Sequence, residues 1–283
     1  MSLSPPQNLD LPYFAYGLFQ AGELCHPRIE PFLTVAPVSD RIHGSLLVRD
    51  GLPLVSLHAG NGSVEGSVLH FRVETRRDAY EEVAAFEPSA HYRWADTTTI
   101  VTGLRVNILV IRSPSKGHPE EFDGSRWSHR DDPVFRDGLR VVSDMTHDFG
   151  KLPFQSSPPD AFDWPRFFRL QMAYLFLWAA IERYTVFAFG PRLEPTARVE
   201  RLGALASFQA AVRSRVTRQS VVTYSRTLNS YRLDRDTPAE AALYYYQVRS
   251  NLSHRGKGAW NDGELVRESL TELLDVFKVV LGV

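Results

Sequence analysis

The sequence predicts an α+β protein in two parts, a strand-rich first portion and an all-helical second one. Three observations carry this. Four runs rich in β-branched and aromatic residues fall in the first 112 residues, separated by Gly, Pro or Asn clusters. Apolar residues at helical spacing fill the region after Asp163. Charge also divides unevenly: residues 1–160 hold 15 Lys/Arg against 21 Asp/Glu, and residues 161–283 hold 17 against 12, within a chain of net charge −1.

The expected strands are LPYFAYGLF (11–19), RIHGSLLVR (41–49), GSVLHFRVE (66–74) and TTTIVTGLRVNILVI (97–111). One helix interrupts them, TRRDAYEEVAAFE (75–87), with Thr75 as N-cap, Tyr80, Val83, Ala84 and Phe86 as apolar positions, and Pro88 as the stop. Strands with a single inserted helix predict a small barrel-like domain over residues 1–112. Residues 113–160, with runs such as SHRDDP and SSPPD, read as an irregular excursion and linker.

From residue 161 to 283 the pattern predicts a helical bundle. Asp163–Trp164–Pro165 is an N-cap with proline in the first turn, opening an apolar helix that runs to Gly190. Further helices are predicted over about 196–217 and 237–255. In the last helix Asn261 and Glu264 form a capping box ahead of Val266, Leu270, Leu273, Leu274, Phe277, Val280 and Leu281.

Composition sets bounds on function. A single cysteine, Cys25, excludes an internal disulfide and a thiolate zinc site, and no metal or cofactor is expected. MSLSPPQNLD lacks the basic and apolar regions of a signal peptide. The longest uncharged apolar stretch, Leu170 to Ile181, is too short to span a bilayer. A cytoplasmic protein without a membrane partner is the expectation. Fifteen of the 17 basic residues after position 160 are Arg, the side chain best shaped to grip phosphates, so a polyanionic partner is plausible there. A solvated basic surface is the alternative reading.

Two short pieces of the first part bear chemistry. Tyr16–Gly17 ends a strand, where glycine lets the following backbone amides face a carboxylate. In AFEPSAHYRW, Glu87 follows Phe86 at a helix end, with Tyr92 and Arg93 close behind, and a carboxylate beside apolar groups can have its pKa raised and move protons. In this order, with HGSLL around Gly44 and VEGSVLHFRV around Gly66, the pieces resemble the gamma-glutamylcyclotransferase-like family, including AIG2-like proteins, over residues 11–112. The resemblance implies a small barrel with a lateral helix and a cavity on the Tyr-Gly turn. It assigns Glu87 as acid/base, with Tyr16, Gly17, Leu18, Tyr92 and Arg93 holding the ligand. The family's chemistry cyclises a γ-glutamyl group to 5-oxoproline and releases an amine. Departures are Leu18 in place of a hydroxyl residue, Pro88 in place of glycine, and Tyr92 one position late.

The second part ends with VRSNLSHRG before its last helix. On a straight helix Arg249 and His254, five residues apart, differ in direction by about 140° and share no face. Metal-independent RNA cleavage needs a His near neutral pKa and an Arg to stabilise the phosphorane, which this pair supplies if a helix end breaks or a second subunit completes the site. The structural alternative pairs Arg249 with an acid and leaves His254 as a favourable cation at a helix C-terminus. Placed late in an arginine-rich bundle, the motif resembles the HEPN superfamily of dimeric endoribonucleases. That resemblance implies Arg249 and His254 as catalytic, Asn251 as accessory and Glu182 as helper. It implies RNA as partner, a homodimer through the helical domain, and an antitoxin or phage-defence setting. Arg213, Arg215, Arg218, Arg226, Arg255 and Lys257 are the expected RNA-contacting residues, with Tyr224 and Tyr231 as base-stacking candidates. The leading expectation is therefore a HEPN-type ribonuclease with a ligand-sensing first domain. The alternatives are a γ-glutamyl cyclotransferase dimerised by its bundle, and a non-catalytic RNA- or nucleotide-binding protein.

Overall fold

A computed structural model of the chain describes residues 3–57, 62–87, 89–112, 119–154, 162–225, 227–254 and 262–283. It divides into two compact units, Met1–Pro133 and Val134–Val283. The architecture is mixed α+β, as the residue pattern predicts.

The first unit is built on a five-stranded sheet. Strands β1 (Tyr13–Ala15), β2 (Val38–His43), β5 (Ser63–Leu69), β6 (Tyr92–Thr98) and β7 (Arg105–Ile111) lie in the order β2-β5-β1-β7-β6. Central β1 is antiparallel to β5 and parallel to β7, and all three of its residues are buried. A smaller sheet joins β3 (Ser45–Arg49), β4 (Leu52–Ser56) and β8 (Glu120–Glu121) in the order β4-β3-β8.

The predicted strand 41–49 is two strands, because Gly44 takes φ +153 and turns the chain out of the first sheet into the second. The expected barrel does not close as a result. Among the described residues its edge strands are joined by the isolated bridge Ile42↔Thr99 and neighbouring contacts rather than by a continuous ladder.

The long strand expected at 97–111 is instead a hairpin, β6 and β7 joined by a turn over residues 99–104. Buried Asp40 holds this turn. Its carboxylate accepts from the Val101 amide at 2.9 Å, the Thr102 amide at 3.1 Å and the Thr102 hydroxyl at 2.6 Å. Burial alone would raise its pKa, but the hydrogen bonds, led by the Thr102 hydroxyl, hold it at about 2. This depressed pKa contributes roughly 2 kcal/mol above the ordinary pH range of an aspartate, lost as pH falls toward 2. Asp40→Ala is therefore expected to lower stability by about 2 kcal/mol at pH 7, and by much less at pH 2, in urea titrations at the two pH values.

Preceded by the short helix α1 (His26–Ile29), the lateral helix α2 (Arg76–Phe86) forms within a residue of its expected ends and buries Ala79, Tyr80, Val83 and Ala84. Thr75 stands at its N-cap, but its hydroxyl makes no capping bond. Tyr80 anchors the helix by donating to Leu11 O at 2.6 Å while accepting from Asn107 Nδ2 at 2.9 Å. The end of this unit is tied back by the buried pair of His129 and Glu23, at 2.7 Å.

The second unit is mainly helical. The segment read as irregular contains a helix, α3 (Leu139–Phe149), which packs on α4 (Trp164–Phe189) and α8 (Gly263–Leu281). Asp163 caps α4 as predicted, accepting from the Arg166 amide at 3.0 Å. At 26 residues α4 is long and apolar enough, by length and composition, to cross a membrane, because it continues past Glu182 and Arg183, where the sequence count stops. Half of its most apolar window is buried inside the unit.

The helix expected at 196–217 breaks at Leu205, which is extended at φ −65 and ψ 130, giving α5 (Pro195–Ala204) and α6 (Ala206–Arg215). An unanticipated hairpin, β9 (Val221–Tyr224) with β10 (Ser230–Leu233), precedes α7 (Ala241–His254). Asn261 lies outside the described residues, so its part in the expected capping box does too. Glu264 accepts from the Phe154 amide at 2.8 Å and pairs with Arg267.

Candidate functional site

In the first unit, the end of β1, the end of α2 and the start of β6 converge. Tyr16 is 4% exposed, and its hydroxyl donates to Leu109 O at 2.7 Å. Gly17 follows where no side chain fits: a Cβ there would lie 2.8 Å from Pro53 Cγ on β4. Among the described residues no group accepts from the backbone amides of Gly17 and Leu18, while Leu18 O accepts from the Cys25 amide. Pro53 occupies the space beside the turn. Gly17→Ala is expected to push Pro53 and cost about 1–3 kcal/mol, read as a lowered Tm.

Glu87 leaves α2 in an extended conformation, φ −102 and ψ 119, half-buried beside Phe86. Its carboxyl is hydrogen-bonded to the Tyr92 hydroxyl, which also lies 3.1 Å from Pro53 O. Burial raises the Glu87 pKa to about 7, against a smaller downward pull from Tyr92. The Tyr92 hydroxyl has one hydrogen to give, to Pro53 O or to the Glu87 carboxylate. The phenols of Tyr13, Tyr16 and Tyr92 and the Cys25 thiol are all pushed up. Burial is the largest cause in each, and the charge of Glu87 adds to it.

Glu87, Tyr16 and Tyr92 thus lie close enough to shift one another's pKa, and Gly17 and Leu18 follow Tyr16 in the chain. Arg93 is not part of this group. Side chains alternate along β6, and Tyr92 is buried while Arg93 is exposed on the opposite face. Residue adjacency suggested a shared site, and strand period excludes it. Pro88 lies outside the described residues. The carbonyls of Pro53 and Leu109, which fix the two tyrosines, were missed. Backbone acceptors carry no sequence signature.

In the second unit Arg249 and Asn251 turn to different partners. Arg249 Nη2 reaches Glu182 on α4 at 3.3 Å, and the same carboxylate oxygen accepts from Trp178 Nε1 at 3.0 Å. Glu182 is therefore the partner of the motif arginine, and its tie to Trp178 is an i,i+4 pair legible in the sequence. Asn251, two residues on, turns elsewhere. Its Nδ2 donates to Thr223 Oγ1 at 3.2 Å and Tyr224 O at 3.1 Å, and its Oδ1 accepts from Gln247 at 2.8 Å. Its amide nitrogen is thus engaged with the β9 strand. α7 is helical through His254 without a break, so the frayed helix end that would join Arg249 and His254 is not formed before that residue. The side chain of His254, and all of Arg226, Arg255 and Lys257, lie outside the described residues.

Among the expected RNA contacts, Arg213 and Arg215 are exposed on α6. Arg218 is not a surface cation. It is 14% exposed and bound to Glu272 at 2.6 Å, Glu268 at 3.2 Å and Ser269 Oγ at 3.0 Å. Burial works against its charge, and the Glu272 hydrogen bonds outweigh that and raise its pKa. Tyr224 is exposed on the hairpin and Tyr231 is half-buried. No cluster of three or more His, Cys, Asp or Glu residues suited to a metal occurs among the described residues.

These features define a mixed α+β protein whose first unit holds a glutamate of raised pKa hydrogen-bonded to a buried tyrosine. No protein-family profile and no curated protein matches the chain. Among solved structures it is similar to uncharacterized protein PH0828 from Pyrococcus horikoshii, at 18% identity and TM-score 0.32, over 48% of this chain and 98% of that one. It is also similar to two Kluyveromyces lactis proteins. Allophanate hydrolase matches at 13% identity and TM-score 0.31, over 40% of this chain and 19% of that one. Urea amidolyase matches at 10% identity and TM-score 0.34, over 48% of this chain and 9% of that one.

Proposed function

We propose that the first unit is a γ-glutamyl cyclotransferase-type site in which Glu87 is the acid/base. The observation that carries this reading is a glutamate with its pKa raised to about 7, hydrogen-bonded to the buried Tyr92 and near enough to raise the pKa of Tyr16 at the Tyr-Gly turn. A base must be partly ionised at working pH and its conjugate acid must still donate, which a pKa near 7 satisfies. The amides of Gly17 and Leu18 hold the substrate's α-carboxylate. The Glu87 carboxylate takes a proton from the substrate's α-ammonium, and the freed amine attacks the γ-carbonyl. A C–N bond forms in the five-membered ring, the original γ-amide C–N bond breaks, Glu87 gives its proton to the departing nitrogen, and the second proton of the attacking nitrogen passes to the same amine. The products are 5-oxoproline and an ammonium ion, so the substrate's charge is conserved and Glu87 ends as the carboxylate it began as.

The helical unit serves self-association in this reading. Phe168, Met172 and Phe176 fall at i, i+4 and i+8 along α4 and are 51%, 65% and 42% exposed, an apolar stripe suited to a second copy. The ribonuclease reading has less behind it, since Arg249 and Asn251 are engaged with separate partners. The test is 5-oxoproline release from γ-glutamyl amides by the wild-type chain and by Glu87→Gln. Absence of release by the wild type would reject the proposal.

A further inference from the structure

The loop that leaves the Tyr-Gly turn is held from outside by a second piece of the first unit. Between Gly17 and α1 the chain belongs to no strand or helix. Its backbone bonds are local: the Gln20 amide donates to Gly17 O, the Glu23 amide to Gln20 O and the Cys25 amide to Leu18 O, each at 3.0 Å. Leu18, Phe19, Gln20, Glu23 and Cys25 are nevertheless buried. On the α2 side Phe19 meets Phe86 edge-on, with ring centres 5.7 Å apart.

On the other side residues 125–132 form a strap. Ser125 fastens it to β5, its carbonyl accepting from the Glu65 amide at 2.7 Å and its hydroxyl donating to Glu65 Oε1 at 3.0 Å. Trp127 is fully buried, and its carbonyl accepts from Gln20 Nε2 at 3.2 Å. Glu23 Oε2 accepts from the His129 amide at 2.9 Å and from His129 Nδ1 at 2.7 Å. The Ser128 amide donates to Asp131 Oδ2 at 2.9 Å, closing a capping box that sets His129 in place. Glu23 and His129 are 6% and 9% exposed, so water does not compete for these bonds. Burial would raise the Glu23 pKa, but the hydrogen bonds from His129 and Ser128 hold it low, so Glu23 is the acceptor and Nδ1 the donor. Gln20 and Glu23, the buried polar side chains of the loop, thus both end on the strap.

We propose that Gln20, Glu23 and His129 are positioning residues for the substrate, through which the strap keeps the backbone after Tyr16 in the shape that receives the α-carboxylate. This rests on the role proposed above for the Gly17 and Leu18 amides and adds the side chains that hold them in place. The α-carboxylate keeps its charge from ground state to product, so its binding is equal throughout. Loosening it raises KM and leaves kcat alone. None of the strap's hydrogen bonds named here reaches Glu87, so the proton transfers stay as they are.

Three variants of the full chain test this. His129→Ala removes the Nδ1 donor, and His129→Asn restores a donor at the same place. Asp40→Ala weakens the same unit away from the loop. In 5-oxoproline release from γ-glutamylalanine, His129→Ala should raise KM about fivefold or more with kcat within about twofold of wild type. His129→Asn should recover most of that loss, and Asp40→Ala should leave KM unchanged. In amide hydrogen exchange, the Gln20, Glu23 and Cys25 amides should lose about tenfold more protection than those of β5 in His129→Ala, and no more than those of β5 in Asp40→Ala. Should His129→Ala fail to fold, Gln20→Leu, which deletes only the bond to Trp127, takes its place in both measurements. The proposal is overturned if the strap variant and Asp40→Ala change KM alike, if kcat falls while KM holds, or if the loop amides keep their protection. A wild type that releases no 5-oxoproline defeats the cyclotransferase reading. The strap is then judged on exchange, where loss confined to the loop supports it and loss shared with β5 overturns it.

Discussion

Glu87→Gln is expected to abolish 5-oxoproline release, a loss of 10²-fold or more, and at the same time to make the protein more stable above neutral pH. Both effects come from one cause. Burial raises the Glu87 pKa from an ordinary 4.5 to about 7, so the folded protein holds a proton that the unfolded chain has released over that interval. Where the native state binds more protons, stability falls as pH rises. The fall begins near pH 4.5 and ends near pH 7, beyond which Glu87 is ionised in both states and the cost is constant. Discounted for the half-exposed position of the side chain, that cost is on the order of 2 kcal/mol. Urea denaturation should show the wild type and Glu87→Gln equally stable at pH 4 and the variant more stable by about 2 kcal/mol at pH 8. Equal stability at both pH values would mean the carboxyl is not held in an unfavourable site. A stabilised but fully active variant would separate the raised pKa from catalysis.

Arg218→Ala should lower the stability of the second unit by about 3–5 kcal/mol rather than weaken a nucleic-acid contact. Arg218 and Glu272 are 14% and 10% exposed and 2.6 Å apart, and Tyr245 extends the cluster by donating to Glu272 at 3.4 Å. Truncating the arginine strands a carboxylate among buried groups, the costly way to break such a pair. Replacing both partners together, as Arg218→Met with Glu272→Met, should cost far less, because no charge is then left without its counterion. Thermal unfolding of the two single variants and the double variant gives the coupling directly. If Arg218→Ala leaves Tm unchanged, the ion pair contributes nothing to the fold and the residue is free for another role.

The two sites differed in how far the residues alone could be read, for a geometric reason in each. Tyr16, Gly17, Glu87 and Tyr92 sit at the ends of short elements, and each carries its own local signal: a strand end, a glycine turn, a helix stop. Their convergence required only that β1 and β6 flank the same strand, β7. Arg93 was misjudged because neighbouring residues in a strand face opposite ways, and the exact start of β6 decides which of them turns inward. In the second unit the motif Arg249–Asn251–His254 is contiguous, but a helix distributes three such residues around its circumference. Arg249 went to Glu182 and Asn251 to the hairpin. The hairpin itself went unread because its strands are four residues long, embedded between helices in an arginine-rich run.

By itself the sequence determined the two-part α+β division, the lateral helix α2, the capped start of α4 and the placement of Glu87 at a helix end against apolar neighbours. These follow from periodicity, capping and turn chemistry, which act over a few residues and are written locally. Tertiary structure alone decided that the barrel stays open at Gly44, that Arg218 is a buried ion-pair partner, and that the Glu87 carboxyl is desolvated beside Tyr92. It also decided that α4, α7, α8 and a short hairpin meet around a cavity. Each of these depends on which distant segments meet. Burial, pKa and cavity shape are properties of that meeting, and no local pattern of residues specifies them.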